Sequence, residues 1–375
     1  MRQNNGPVLK TVFALGDGHD SEAWDPSLSA RIAEFPDPET TGEWPTGRLN
    51  AVREAGLFRW GLPVEFGGQV VSTPQMLEGY MELSRLCLTT AFILTQRDAA
   101  CHRLANSPND TLRRRLLPDH CSGRSLATVG ISHLSTSRQH WSRPSVVAKE
   151  VSGGYVISGE APWVTGALHA DLLVTGATLE NGEQILAAIP TERMGVIVGP
   201  SLQLMALNES CTGSVTLDRV HVFDEEIVLG PVQQVMKVGA TGGTGSFTTT
   251  AVAIGAATRT LQEFEREAAP RPELADVVQA LSDQLLELRS ELMTAAATSL
   301  APEDLKLAAE NLRLRANSLT VRAAQAYVSS AKGAGFVRGH LAERFLRQSM
   351  FFQVWSCPPA VTQERLSELK RSPTS

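Results

Sequence analysis

Leu274, Val278, Leu281, Leu285, Leu288, Leu292 and Ala295 follow one another at spacings that alternate between four and three. Leu305, Ala309, Leu312, Ala316, Leu319, Ala323 and Ala326 repeat the rhythm. An apolar residue every three or four positions falls on one stripe of an α-helix, because the helix turns once per about 3.6 residues. Two such stripes in succession bury each other as antiparallel neighbours. A helix near residues 246–267 and another over "HLAERFLRQSMFFQVW" bring the number to four. The C-terminal part of the chain is expected to be a four-helix bundle, with seams that serve packing within one chain or between two.

Ahead of the bundle the character of the chain changes twice. Residues 1–45 are polar and rich in Pro, Gly and Asp, and read as an arm or a loosely packed first helix. "LNAVREAGLFRWGLPVEFGG" reads as a helix, a Gly stop and a turn. "TPQMLEGYMELSRLCLTTAFILTQRDAACHRLA" is a long apolar helical stretch, with Thr73 as N-cap and Pro74 in the first turn. "PNDTLRRRLLPDHCSG" is a short basic helix capped by Asn109 or Asp110 and ended by Pro and Gly. From about residue 124 the segments become short, apolar and β-branched. Ser152-Gly153-Gly154 marks a hairpin between two of them. The fold class is α+β. It comprises an N-terminal helical domain over 1–123, a middle β-barrel or sandwich over 124–230, and the four-helix bundle over 231–375.

Composition excludes several functions. The net charge of −6 is spread without a basic stripe, which argues against nucleic acid as the main partner. No run of 18 apolar residues occurs, so no membrane span is expected. Cys87, Cys101, Cys121, Cys211 and Cys357 are scattered, with no CxxC pair and no Cys/His cluster at zinc spacing. No metal site is expected, and the odd, sparse cysteines suit a reducing, cytoplasmic setting.

The order helices, strands, bundle resembles the acyl-CoA dehydrogenase family over about residues 45–370. "AGLFRWGLPVEFGG" is similar to the family's early Leu-Gly-Leu … Pro-Glu … Gly-Gly turn. "GGYVISGEAPWVTGALHADLLVTGA" resembles the hairpin that leads to its Trp-Ile-Thr flavin contact. "AKGAGFVRGHLAERFLRQSMFFQVW" resembles its Gly-Gly-x-Gly-Phe turn and the helix after it. The resemblance implies FAD, an acyl thioester carried by CoA or acyl carrier protein, and a homodimer or homotetramer. It implies removal of a proton from Cα and a hydride from Cβ. That chemistry needs a carboxylate base, a flavin near Cβ and a dry site.

Carried over by position, Trp163 and Thr165 are expected to contact the flavin ring. His133, or Ser132 after a one-residue shift, takes the place of a flavin-contacting Thr. His133 and His140 also suit acid–base work near neutral pH, and are equally read as surface histidines. Gly333 and Gly335 let the backbone approach the FAD of a neighbouring subunit, or simply cap the preceding helix. "FEREAAPRPELADVV" lacks the family's Arg-x-x-Phe-Gly pyrophosphate loop, for which Arg266 or Arg271 would have to substitute. Ser356 stands where the family carries its catalytic Glu, and the alternative position on the first bundle helix offers Thr250 and Ala251. A serine hydroxyl is too weak a base for an α-proton. Cys357 beside it reads as a buried structural thiol or, with a suitable neighbour, a thiolate. Three functions remain open: an altered acyl-thioester oxidoreductase with a base from elsewhere, His133 being one choice; a two-component flavin monooxygenase; and a flavin-free protein that binds acyl thioester or acyl carrier protein.

Overall fold

The computed structural model describes residues 24–135, 143–238, 247–357 and 359–370. Helices come first: α1 (Pro26–Ala33), α2 (Pro38–Thr41), α3 (Thr46–Glu54), α4 (Thr73–Leu86), α5 (Leu88–Ala105) and α6 (Asp110–Ser122). The strands follow as β1 (Ala127–Gly130), β2 (Val146–Val151), β3 (Gly154–Val164), β4 (Leu172–Thr178), β5 (Gln184–Pro190), β6 (Val196–Val198), β7 (Gly213–Phe223) and β8 (Ile227–Val232), with the short helix α7 (Ser132–Ser135) after β1. Helices return as α8 (Phe247–Ala268), α9 (Ala275–Ala297), α10 (Pro302–Ala331), α11 (Leu341–Phe351) and α12 (Pro359–Lys370).

Local chemistry sets several boundaries differently from the sequence expectations. Ser72, not Thr73, caps α4: its Oγ accepts from Gln75 N at 3.3 Å while Gln75 Oε1 accepts from Ser72 N at 2.9 Å. This reciprocal pair satisfies two helix-end donors at once. The long apolar stretch is two helices, broken at Cys87, whose backbone is extended at φ −160° and ψ 103°. Helix α6 runs through Pro118 and stops at Gly123, which takes φ 72°. Part of the presumed arm is packed, since Leu28 and Ile32 of α1 are fully buried.

The strands join in one hydrogen-bonded sheet ordered β6-β7-β3-β2-β4-β5-β8, with β1 also paired to β4. β1 and β2 share one edge of β4, both parallel to it: β1 meets residues 172–175 and β2 meets Thr178. The expected hairpin is present as β2 and β3, with Val151 opposite Gly154.

One core joins α1, α3, α4 and α5 to α8, α9, α10 and α11, so the first and last helical blocks share a single apolar interior. A second core lies between α5, α6 and the sheet. The predicted seams are buried at Val278, Leu281, Leu285, Leu288 and Leu292, and at Ala309, Leu312, Ala316, Leu319 and Ala323. Leu305 departs from its seam and is partly exposed. Helix α5 contributes Phe92 and Leu94 to the first core and Ala100, Cys101 and Leu104 to the second. Its remaining face looks into a cavity.

Candidate functional site: a cavity among α5, the sheet and the bundle

The cavity has a volume of ≈ 1280 Å³. That exceeds the ~300–1,000 Å³ usual for small-molecule sites, so two bound groups can lie in it side by side. Its wall is built from α4, α5, the ends of β1 and β3, the segment 204–207, the first turns of α8 and α10, and the end of α11 through Ser356. Leu305 and Ala309 belong to this wall, which is why the α10 seam opens at its start.

On the sheet side, Trp163, next to last in β3, has its side chain on the wall and is 49% exposed. Thr165 is buried: its carbonyl accepts from Thr128 Oγ1 at 2.7 Å, which ties the turn after β3 to β1. Its hydroxyl lies 3.0 Å from that of Thr212, which lies 2.8 Å from that of Ser210. Thr165 and Thr212 both line the cavity. Hydroxyls in a row can all turn their protons the same way, so this chain can offer a donor or an acceptor at its cavity end. Ser132 also lines the cavity, and its Oγ is buried without a hydrogen-bond partner. His133 does not line it: the ring is buried and its Nε2 lies 2.9 Å from the Gly176 carbonyl of β4. Between the two registers considered, the cavity takes Ser132.

On the bundle side, Ser356 lines the cavity just beyond α11, in left-handed backbone at φ 48°. A serine held there is strained by roughly 1–3 kcal/mol. The turn is held from behind by Arg313 of α10, which is completely buried and donates from Nη2 to the Trp355 carbonyl at 2.8 Å. The guanidinium also lies over the rings of Phe352 and Trp355, at 5.8 and 5.5 Å from their centroids. Burial draws the Arg313 pKa down to about 10. Cys357 donates to the Phe352 carbonyl at 3.3 Å and lies behind the wall, beside Arg313 and Asn317.

A model of the acyl-CoA dehydrogenase N-terminal domain matches residues 28–124. The chain is 25% identical over 269 residues to a probable acyl-CoA dehydrogenase, YngJ, of Bacillus subtilis, covering 68% of this chain and 69% of that one. It is 25% identical over 192 residues to a probable FMNH2-dependent monooxygenase, SfnC, of Pseudomonas putida, covering 51% of this chain but only 47% of that one. Its fold matches the structure of glutaryl-coenzyme A dehydrogenase in complex with glutaryl-CoA, with a TM-score of 0.78 at 17% identity over 92% of this chain and 93% of that one. Residues 28–124 thus match the N-terminal domain of the acyl-CoA dehydrogenase family, and the chain as a whole has the fold of these dehydrogenases.

Members of the family are flavoproteins, and the residues on the sheet side of the cavity fit a flavin ring. Trp163 offers an aromatic wall, Thr165 a hydroxyl that can point either way, and Ser132 an unpartnered buried oxygen. The phosphate-bearing part of FAD is less well provided for within one chain. Arg271 donates to the Ser330 carbonyl and pairs with Glu267, while Arg266 pairs with Glu263. Neither faces the cavity. Gly333 and Gly335 also lie away from it, in the turn that ends α10. A Cβ on Gly335 would lie 2.8 Å from that of Ala331, whereas one on Gly333 would meet nothing within 4 Å. His140 lies outside the described residues.

The sequence reading missed one group. Asp98 of α5 is, among the described residues, the only carboxylate on the cavity wall. Its Oδ1 accepts from Arg97 Nη1 at 2.7 Å and its Oδ2 from the Tyr80 hydroxyl. Burial first, and then the charge of Asp98, push the Tyr80 phenol well above its usual range, so it remains a donor. Arg97 is held in turn by the His120 carbonyl at 2.5 Å and lies over the Phe58 ring at 4.4 Å. The signal was available in "TQRDAACHR": a charged pair inside an otherwise apolar helix rarely lies buried unless it is matched.

Proposed function

We propose that the chain is a flavin-dependent oxidoreductase that acts on an acyl thioester through an altered site, with FAD as its cofactor. The observation that carries this reading is the half-exposed Trp163 indole beside the Thr165–Thr212 hydroxyls on the wall of one large cavity. The rest of that cavity, between α5, α10 and the end of α11, has room for an acyl group. A flavin held there supplies a hydride acceptor. The chain's own part is to stack the ring on Trp163, direct a hydroxyl of Thr165 at its polar edge, and keep water from the acyl group. At position 356 it offers no base, since a hydroxyl cannot hold an α-proton at neutral pH. The acyl group is delivered by CoA or acyl carrier protein, and the functional unit is a homodimer or homotetramer in the cytoplasm, with Gly333 and Gly335 towards a neighbouring subunit.

Ser356 also favours a second reading, a monooxygenase that takes reduced flavin from a partner reductase. Oxygen insertion does not call for an α-carboxylate base, and SfnC is among the chain's relatives. A third reading, a thioester-binding protein without flavin, draws on the internal pairing of Arg266 and Arg271.

The deciding experiment is the visible spectrum of the purified protein before and after excess FAD, followed by butyryl-CoA without oxygen. Stoichiometric flavin bands that bleach with the thioester support the first reading. Bands that do not bleach, with oxygen insertion in the presence of a reductase and NADH, move the assignment to the second. A protein that stays colourless in excess FAD rules out the first reading; if it also inserts no oxygen when a reductase and NADH supply reduced FMN or FAD, the second falls as well and the third is left.

A further inference from the structure

We infer that the acyl group taken into the cavity carries a neutral hydrogen-bond donor, such as a hydroxyl, and that Asp98 recognises it. This inference rests on the thioester reading above and narrows the substrate class. The carrying feature is one face of α5. Thr95 and Gln96, then Asp98 and Ala99, then His102 and Arg103 line the cavity on three successive turns. Only Ala99 among them is apolar. Tyr80 of α4 stands beside Asp98 on the same wall.

A plain hydrocarbon chain drawn against this face would cover the lone pairs that Asp98 keeps beyond Arg97 and Tyr80 and return nothing. Each buried polar group left without a partner costs about 1–3 kcal/mol. An acyl group with a hydroxyl avoids that cost by donating to the carboxylate. Asp98 is built to accept: Arg97 and Tyr80 hold one of its oxygens each, and each oxygen keeps a lone pair for another donor. The partners also decide the charge of the ligand. Arg97 already balances Asp98, and Arg103, whose pKa burial lowers to about 10, remains a cation on the same wall. Lys306 and Arg347 line the cavity as well. A cationic tail gains nothing there, whereas a neutral donor does. His102 bounds the polar face at its far turn, with Nε2 buried and unpartnered where a Cβ on Gly61 would come within 3.0 Å of it.

The test is direct binding, read by calorimetry, of butyryl-CoA, 3-hydroxybutyryl-CoA and 4-hydroxybutyryl-CoA to the full chain in excess FAD. At least one hydroxyacyl thioester is expected to bind about tenfold tighter than butyryl-CoA or better, because a site built for a hydroxyl discriminates strongly against its absence. D98N keeps the side-chain shape and is expected to reduce that ratio below about threefold. Asp98→Glu, which keeps the charge that balances Arg97 but moves the carboxylate by one methylene, serves as the second variant should D98N not fold, with the same expected direction. Equal binding of all three thioesters, or tightest binding of butyryl-CoA, overturns the inference and leaves the thioester reading intact. Failure of all three to bind overturns the thioester reading, and this inference with it.

Discussion

Two fully buried arginines, Arg97 and Arg313, are matched in opposite ways. Arg97 has the Asp98 carboxylate at 2.7 Å, and the pair is closed by Tyr80 and by the His120 carbonyl. Among the described residues no carboxylate pairs with Arg313, which leans instead on the Trp355 carbonyl and two aromatic rings. Removing one partner of a buried pair strands the other charge, at a cost of about 3–5 kcal/mol. Arg97→Leu is therefore expected to destabilise by that amount. Arg313→Leu removes a buried cation that strands no anion, and is expected to cost well under half as much. Urea unfolding of the two variants checks this, and equal losses would mean that Arg313 has a counter-charge after all. Residue identity was only partly legible in the sequence. Trp163 and Thr165 were found by their hairpin, and both line the cavity. His133 and Ser132 were indistinguishable, because one residue of register in a short helical turn decides which of them faces the cavity.

At the scale of elements, the end of a helix is a local matter and can be tested locally. Ser72→Ala removes one half of the reciprocal pair at the start of α4 and is expected to cost about 1 kcal/mol. A thermal melt shifted by no more than experimental error would mean that the cap contributes nothing. The end of α6 carries a pH dependence. His120 is almost fully buried with its Nδ1 3.0 Å from the Ser125 carbonyl. Burial lowers its pKa and outweighs the opposing hydrogen bond to Ser125; Arg97 lowers it further, and Asp171 and Asp119 raise it slightly. The unfolded chain then takes up a proton near pH 6.5 that the folded chain refuses, so stability falls as pH drops below that value. Urea midpoints between pH 7.5 and 5.5 should decline, and His120→Asn should flatten the slope. The break between α4 and α5 at Cys87 left no trace in the sequence pattern. Apolar residues continue across it, because both helices are buried and neither needs a polar face there.

At the scale of the molecule, the first and last helical blocks are locked together where α8 crosses α4. Ser84 Oγ donates to the Val252 carbonyl at 2.7 Å, and a Cβ on Gly255 would sit 2.2 Å from the Met81 carbonyl oxygen. Neither backbone can retreat without opening the shared core. Gly255→Ala is expected to destabilise by at least about 2 kcal/mol, and to weaken any bound flavin as the cavity wall shifts. An alanine variant as stable as the parent would show that the two blocks move freely against each other.

The order of elements, the hairpin, the four bundle helices and the place of Trp163 were written in the sequence, because periodicity, capping and turn chemistry act over a few neighbouring residues. The family resemblance drew on the same local motifs. What only the tertiary structure decided was which polar residues share a space. Asp98 and Tyr80 lie eighteen positions apart, on helices that the sequence ran together. Ser356 owes its place to an arginine on α10, and the cavity exists only where α5, the sheet and the bundle meet. Such contacts are set by how separate faces pack, and a pattern that repeats along one element carries no record of the element it will meet.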